Sequence, residues 1–300
     1  MLLYTPMNAF TIKDLENLTG IKAHTIRIWE QRYSFLKPQR TDTNIRYYSN
    51  EELKKILNVA LLNKYGFKIS HIDKMSDEEM IEKIHGINGQ EAGLERLLNA
   101  MIQCMVDMDL EGFERLINEY IVQKGIERAI EQVIFPFLER IGVLWMTGHI
   151  NPAQEHLVSN LIRQKMIVGI DSIKPTYHAD KSCVLFLPEG EYHELGLLFV
   201  HYLMRSEGIA VSYLGTNVPF KDIEYVINIK KPDFIYTHLT SVSNAFSFDR
   251  FIQQTIKRFA STPMIISGRM ASTYESKIPP HIHFKRSLKE VMEFIRGAVE

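Results

Sequence analysis

The hydrophobic positions along the chain fall into three regimes. Up to about residue 75 the apolar residues form short helical stripes broken by Gly and by a β-like stretch. Leu15 and Leu18 give the inward face of a first short helix, with Thr11 as N-cap, Asp14 three residues on and Gly20 making the turn. Ile26, Trp29 and Tyr33 recur at i, i+3 and i+7, which predicts a second helix over Ala23–Tyr33 with Trp29 and Tyr33 in the core. Residues 35–40 and 45–48 can pair as two short strands around Asp42-Thr-Asn44. Ser49 with Glu52 is a capping box that opens a helix to about Tyr65, closed by Gly66, and another short helix starts at Ile69.

The second regime is helical throughout. Residues 76–90 form a polar junction with an acidic helix and a Gly-containing linker. Leu94, Leu97, Leu98, Met101 and Met105 make one stripe; Leu110, Phe113, Leu116 and Ile117 make another, capped by Asp109. Ile126, Ile130, Val133, Ile134 and Phe137 make a third, kinked by Pro136 and ending near Trp145-Met-Thr-Gly148. The fourth opens with Asn151 at N-cap, Pro152 at N1 and Gln154 at N3. Four helices of this length predict a compact bundle.

In the third regime short apolar runs alternate with amphipathic helices. The expected strands are Cys183–Leu187, Ile209–Leu214, Phe234–Leu239, Met264–Ser267 and a weak Ile282–Phe284. The expected helices are His193–Glu207, Phe220–Lys230, Asp249–Phe259 and Leu288–Val299. This alternation implies parallel βαβ units in a doubly wound sheet of flavodoxin-like order, with its crevice between the first and third strands. The loops expected there are Pro188–Tyr192, Thr240–Asn244 and Gly268–Ser272. The fold class is thus multidomain α and α/β: a winged helix-turn-helix over 8–76, a four-helix bundle over 90–175 and a Rossmann-like, flavodoxin-like sheet over 180–300.

Composition narrows the function classes. The apolar fraction of 45% over 300 residues allows sizeable cores. No apolar run approaches the ~18 residues of a membrane helix, and the N-terminus lacks the pattern of a signal peptide. Cys104 and Cys183 lie far apart in segments expected to be buried, which suggests a reducing compartment, so the expected location is the cytoplasm. The net charge of -1 hides an asymmetry: residues 1–75 hold 12 Lys+Arg against 7 Asp+Glu, and the remainder 23 against 29. A basic head on an acidic body points to a polyanionic partner for the head.

Two short helices around a Gly turn, the second bearing polar and basic groups, fit a helix-turn-helix with a following wing. The runs Thr25-Ile-Arg-Ile-Trp-Glu-Gln-Arg-Tyr, Leu36-Lys-Pro-Gln-Arg-Thr and Arg46-Tyr-Tyr-Ser resemble the head of MerR-type transcription regulators. Asn44-Ile45 stands where that family usually has a Gly; Asn tolerates the left-handed conformation. The resemblance implies double-stranded DNA as partner, with Thr25, Arg27 and Arg32 on the reading helix and Arg40, Arg46 and Tyr47 of the wing free to reach phosphates. No long heptad pattern follows the head, so self-association, as dimer or tetramer, must use the body.

The stretch Leu185-Phe-Leu-Pro-Glu-Gly-Glu-Tyr-His-Glu-Leu-Gly196 runs from a buried strand through a polar loop. It places His193 where an open α/β sheet binds ligands, with Glu191 able to orient the imidazole and Gly196 able to let a bulky ligand approach. No Gly-x-Gly-x-x-Gly loop follows the first strand, which disfavours a dinucleotide. Glu191-x-His193-x-x-Gly196, Ser212-x-Leu214 and Ser267-Gly268 resemble the Asp-x-His-x-x-Gly, Ser-x-Leu and Gly-Gly pattern of cobalamin-binding domains. Glu191 replaces Asp, and Ser267 replaces the first Gly. The resemblance implies His193 as lower axial cobalt ligand in place of the dimethylbenzimidazole tail. It sets Ser212 and Leu214 by the tail's channel and has Gly268 let the tail pass. Trp145, nine residues, then Glu155-His156 resembles the cap motif of cobalamin-dependent light-sensing regulators of the CarH and LitR type. It implies that Trp145, Glu155 and His156 border the upper adenosyl group. Met146 stands where some of those photoreceptors have a second cobalt-binding His, with His149 and His156 as substitutes. The expectation is a non-enzymatic, cytoplasmic DNA-binding repressor whose oligomerisation is set by adenosylcobalamin, as a light sensor. The alternatives are a light-independent cobalamin sensor, a relative that has lost cobalamin and, last, a corrinoid enzyme subunit.

Overall fold

A computed structural model of the chain describes residues 9–41, 44–146, 150–174, 180–240, 247–274 and 279–298. The chain divides into two compact units, Met1–Ile162 and Arg163–Glu300.

The first unit starts with α1 (Ile12–Thr19) and α2 (Ala23–Arg32) around Gly20, which takes φ 74°. Thr11 and Asp14 form a reciprocal capping box. The wing is narrower than expected. Its strands β1 (Gln39–Arg40) and β2 (Arg46–Tyr47) pair antiparallel, with Gln39 opposite Tyr47. Phe35 and Leu36 are buried in the head core instead of extending the ladder, and Pro38 has no N–H to give it. Asn44 takes φ 64°, the left-handed conformation the turn needs. Then come α3 (Asn50–Lys64), capped by Ser49 and Glu52, α4 (Ile69–Ile72) and the acidic α5 (Asp77–Gly86), which packs on α3.

The bundle comprises α6 (Gln90–Asp107), α7 (Leu110–Lys124), α8 (Ile126–Ala129), α9 (Phe135–Met146) and α10 (Pro152–Ser172), whose C-terminal part enters the second unit. Between α8 and α9, Ile130–Ile134 is π-helical. Pro136 accounts for that widening. Its ring would strike the carbonyl four residues back and it has no N–H for it, so the Phe135 N–H bonds Ile130 O, five residues back. The α10 start is as the sequence predicts: the Asn151 side chain accepts from Ala153 N–H at 2.9 Å, and Gln154 donates to Val106 O at 2.8 Å.

One polar junction was not foreseen. The Arg140 guanidinium on α9 donates to Asn99 Oδ1 on α6 and to Leu18 O at the end of α1, both at 3.0 Å. The buried Asn99 amide donates in turn to Leu57 O on α3 at 3.4 Å. Head and bundle helices are thereby joined through one side chain, which desolvation holds below its ordinary pKa. Arg140→Met should leave two acceptors without their donor and cost about 2 kcal/mol. A urea midpoint equal to wild type would show that water replaces the guanidinium at no cost.

The second unit is a five-stranded parallel sheet. In chain order it runs β3 (Ser182–Pro188), α11 (Leu195–Ser206), β4 (Ala210–Val218), α12 (Phe220–Lys230), β5 (Phe234–His238), α13 (Phe248–Phe259), β6 (Met264–Ser267), α14 (Arg269–Thr273), β7 (Ile282–Lys285) and α15 (Leu288–Gly297). The sheet order is β4-β3-β5-β6-β7, the expected flavodoxin-like order, with the switch between β3 and β5. Val184, Phe186, Ile235, Leu239 and Ile266 pack under α12 and α13 in one apolar core. β4 is longer than expected and carries a bulge: Leu185 faces Tyr213, but Phe186 faces Gly215 at φ 82°, so Leu214 is the extra residue. The helix after β3 begins at Leu195, which leaves His193 in the loop ahead of it. No described helix is long and apolar enough to cross a membrane.

Candidate ligand site and nucleic-acid interface

The loop after β3 is built around the Glu191 side chain, which is fully buried. Its Oε1 accepts from the backbone N–H groups of Tyr192 and His193, each at 2.9 Å, and lies 2.6 Å from His193 Nδ1. Its Oε2 accepts from Thr240 N–H, past the end of β5, at 2.9 Å. One carboxylate thus ties the two sides of the switch point together. Burial alone would raise the Glu191 pKa, but the bonds from His193 and Thr240 outweigh it and hold the group below its ordinary value. The loop is also clamped to β4: Asn217 Oδ1 accepts from Gly190 N–H at 2.9 Å, and Asn217 N–H donates to Glu191 O at 3.2 Å. With Nδ1 held by a carboxylate, the imidazole is oriented to offer a metal its Nε2.

Beside this pair lies a cluster that sequence reasoning missed. His238, the last residue of β5, has Nδ1 2.8 Å from Ser267 Oγ at the end of β6. The buried Tyr236 hydroxyl donates to the same Ser267 oxygen at 2.7 Å. Desolvation lowers the His238 pKa to about 4, with the Glu191 carboxylate acting the other way, so the ring is neutral. The ring lies against Gly196, in the first turn of α11. A Cβ on Gly196 would fall 3.0 Å from His238 Cε1 and nearer still to Cδ2 and Nε2. Gly268, at φ 94°, packs on backbone: a Cβ there would lie 2.8 Å from the Leu239 carbonyl carbon.

Ser212 and Leu214 are not brought to this site. Ser212 pairs with Val184 in the body of the edge strand β4, and Leu214 is the bulge residue. Both stand on the far side of β3 from β5, well before the carboxyl end of β4. At the carboxyl end of β5, next to β3, the structure sets Thr237, His238 and Leu239. Gly196, expected to let a ligand approach, has the His238 ring against it. A signal existed. The strand Phe234–His238, next to β3, ends in a histidine, a residue type able to face a ligand or a metal.

In the first unit, Glu155 accepts from the Ser159 hydroxyl and its Oε2 lies 3.1 Å from Nδ1 of the exposed His156. Trp145 closes α9; its side chain and that of Met146, like residue His149, lie outside the described residues.

On the head, His24, Arg27, Ile28, Gln31 and Arg32 are exposed along one face of α2, while Ile26 and Trp29 are buried on the other. Thr25 is half-buried at the edge, its hydroxyl 3.3 Å from His24 Nε2. Arg40 is exposed on the wing and bonds Asn44 Oδ1 at 2.6 Å; the Tyr47 hydroxyl bonds Gln39 at 2.6 Å. Arg46 does not stand free. Its Nε lies 3.1 Å from Glu30 on α2, whose carboxylate also takes the Tyr48 hydroxyl, so Arg46 fastens the wing to α2. Arg27→Ala should weaken DNA binding and reduce its salt slope by roughly one phosphate contact. Arg46→Ala should lower head stability as well; an unchanged melting curve would return Arg46 to the free phosphate contacts.

Residues 10–79 match the MerR HTH family regulatory protein model, and residues 87–168 match the B12 binding domain model. The chain is 25% identical over 280 residues to the HTH-type transcriptional repressor CarH of Myxococcus xanthus, covering 89% of this chain and 91% of that one. It is 26% identical over 260 residues to CarA of the same organism, covering 86% and 85%. The chain resembles the MerR-type, B12-binding CarH repressors. A monomethylamine corrinoid protein of Methanosarcina barkeri shares the fold, with TM-score 0.55 and 12% identity over 68% of this chain and 99% of that one. The CarH-like character can be tested on the donor set. Among the described residues no group of three or more His, Cys, Asp or Glu side chains could hold a bare metal ion. A lone, carboxylate-backed histidine suits a metal whose other ligands come with a macrocycle. The Glu191–His193 pair therefore fits a corrinoid's cobalt, with both oxygens of the Glu191 carboxylate hydrogen-bonded. The space over Gly196 is filled by the His238 ring.

Proposed function

We propose that this chain is a non-enzymatic, cytoplasmic transcriptional repressor that binds operator DNA through α2 and the wing and uses an adenosylated corrinoid as its sensory ligand. The observation that carries it is the Glu191–His193 pair at the switch point of a chain whose head matches the MerR model. The corrinoid supplies a cobalt–carbon bond that light or chemistry can break. The protein's part is to present His193 Nε2, to hold the ring with Glu191, and to border the upper ligand with Trp145, Glu155 and His156, as the resemblance assigns them. Ligand-driven self-association then gathers several basic heads on one operator, and linked heads bind far more tightly than single ones. Met146 in place of a second histidine favours a sensor of the ligand's presence over one that keeps a light-trapped state.

The test is size exclusion and DNA gel shift of the full chain with excess adenosylcobalamin or adenosylcobinamide, in the dark and after green light. The expected result is a larger species and tighter DNA binding in the loaded dark form. Equal size and affinity with and without ligand would refute the regulatory reading; a light-insensitive loaded form would leave the presence sensor.

A further inference from the structure

Resting on the assignment of His193 to cobalt, we infer that His238 is a specificity residue that plugs the nucleotide slot, so that the site takes corrinoids lacking the lower nucleotide, of the cobinamide type, at least tenfold more tightly than complete cobalamin. Three observations carry this. Gly196 has no side chain, and the space so left holds the His238 imidazole. The ring is anchored through Nδ1 to Ser267 Oγ at 2.8 Å, and Ser267 is itself buried and held by the Tyr236 hydroxyl at 2.7 Å. The Glu191 carboxylate, which orients His193, is bonded on both oxygens without any contribution from a ligand tail.

The consequences for the two ligand classes differ. A corrinoid without a nucleotide needs only the imidazole of His193 below the ring, and every bond around Glu191 and His238 persists. A complete cobalamin in the same pose must lodge its displaced benzimidazole tail in the slot. That tail would have to turn His238 out of its place and strip Ser267 of its histidine partner in a buried setting. Losing one such bond corresponds to roughly a tenfold loss of affinity. Ser267, where cobalamin-binding domains have the first Gly of their Gly-Gly pair, and His238 thus act together: the serine hydroxyl fixes the ring that fills the slot.

The full-length protein is titrated in the dark by equilibrium dialysis with diaquacobinamide and, separately, with hydroxocobalamin, and the visible spectra of the retained complexes are recorded. Wild type is expected to hold the cobinamide at least tenfold more tightly. His238→Ser, which keeps a hydroxyl in reach of the chain's polar cluster while emptying the slot, should raise cobalamin affinity about tenfold and leave cobinamide affinity within twofold. His238→Phe, which refills the slot without the Ser267 bond, should still favour cobinamide, and guards against a serine variant that folds poorly. Equal affinity of wild type for both corrinoids, with a base-off cobalamin spectrum, overturns the plug and leaves the corrinoid reading standing. Retention of neither corrinoid by wild type or by either variant overturns both.

Discussion

His193→Ala is expected to abolish cobalt–nitrogen ligation and to reduce corrinoid retention more than the loss of any other single side chain. The expectation follows from how the ring is held. Glu191 is buried, its Oε1 takes two backbone N–H groups as well as His193 Nδ1, and its Oε2 takes Thr240 N–H. The imidazole is therefore placed in advance, and little freedom remains to be lost on binding. Removing an outer partner of a metal-bound histidine typically costs about 10–100-fold in affinity, so Glu191→Gln should fall in that range. The amide is a poor substitute for a specific reason: its NH2 group would face either the Thr240 N–H or the three donors on the other side. Alanine at 193 removes the ligand itself and should lose more than glutamine at 191. Added imidazole should restore the spectrum of the alanine variant, because the gap it leaves is ring-sized. Unchanged retention and an unchanged spectrum in His193→Ala would remove the residue from the cobalt. Retention lost without rescue by imidazole would mean that the loop, not the ligand, had been damaged.

The parts of this molecule that could be read from sequence share a property: each is set by residues close together in the chain. The Thr11–Asp14 and Ser49–Glu52 boxes, the Asn151-Pro152 helix start and the left-handed Asn44 are decided within a few residues of themselves. The parallel strand order followed from the alternation of apolar runs and helices. The Glu191–His193 contact was within reach for the same reason, the two being two residues apart. What was not legible joins distant segments. Arg140 meets Leu18 across 122 positions, and His238 meets Ser267 across 29 and Gly196 across the sheet's switch point. Arg46 looked like a free cation because nothing near it in sequence announces Glu30 as its partner. A three-residue pattern such as Ser212-x-Leu214 carries no information about strand position, and the structure sets it on the edge strand β4.

Gly268→Ala should destabilise the second unit by about 3–5 kcal/mol, whereas Gly196→Ala should cost only about 1.4 kcal/mol, the loss of the His238–Ser267 bond. Both glycines were expected to make room for a ligand, and the structure separates them by what lies opposite. Gly268 takes φ 94° and ψ -179°, a conformation open in practice to glycine alone, so any side chain there is strained before it touches anything. Its Cβ would then fall 2.8 Å from the Leu239 carbonyl carbon and 2.9 Å from the Leu239 nitrogen. That peptide cannot yield. Leu239 N–H donates to Ser267 O at 2.8 Å, Leu239 O accepts from Met270 N–H at 3.1 Å, and the Leu239 side chain is fully buried in the core under α13. Opposite Gly196 there is only the edge of the His238 ring, which can turn away by giving up one hydrogen bond to Ser267. Urea unfolding of the two variants checks the contrast. If Gly268→Ala kept wild-type stability and lost only corrinoid binding, its glycine would serve ligand passage and the close approach to Leu239 would be incidental. If Gly196→Ala were the more damaging, the His238 ring would have to be as firmly fixed as backbone, and the plug over that glycine would be a structural wall that no tail could displace.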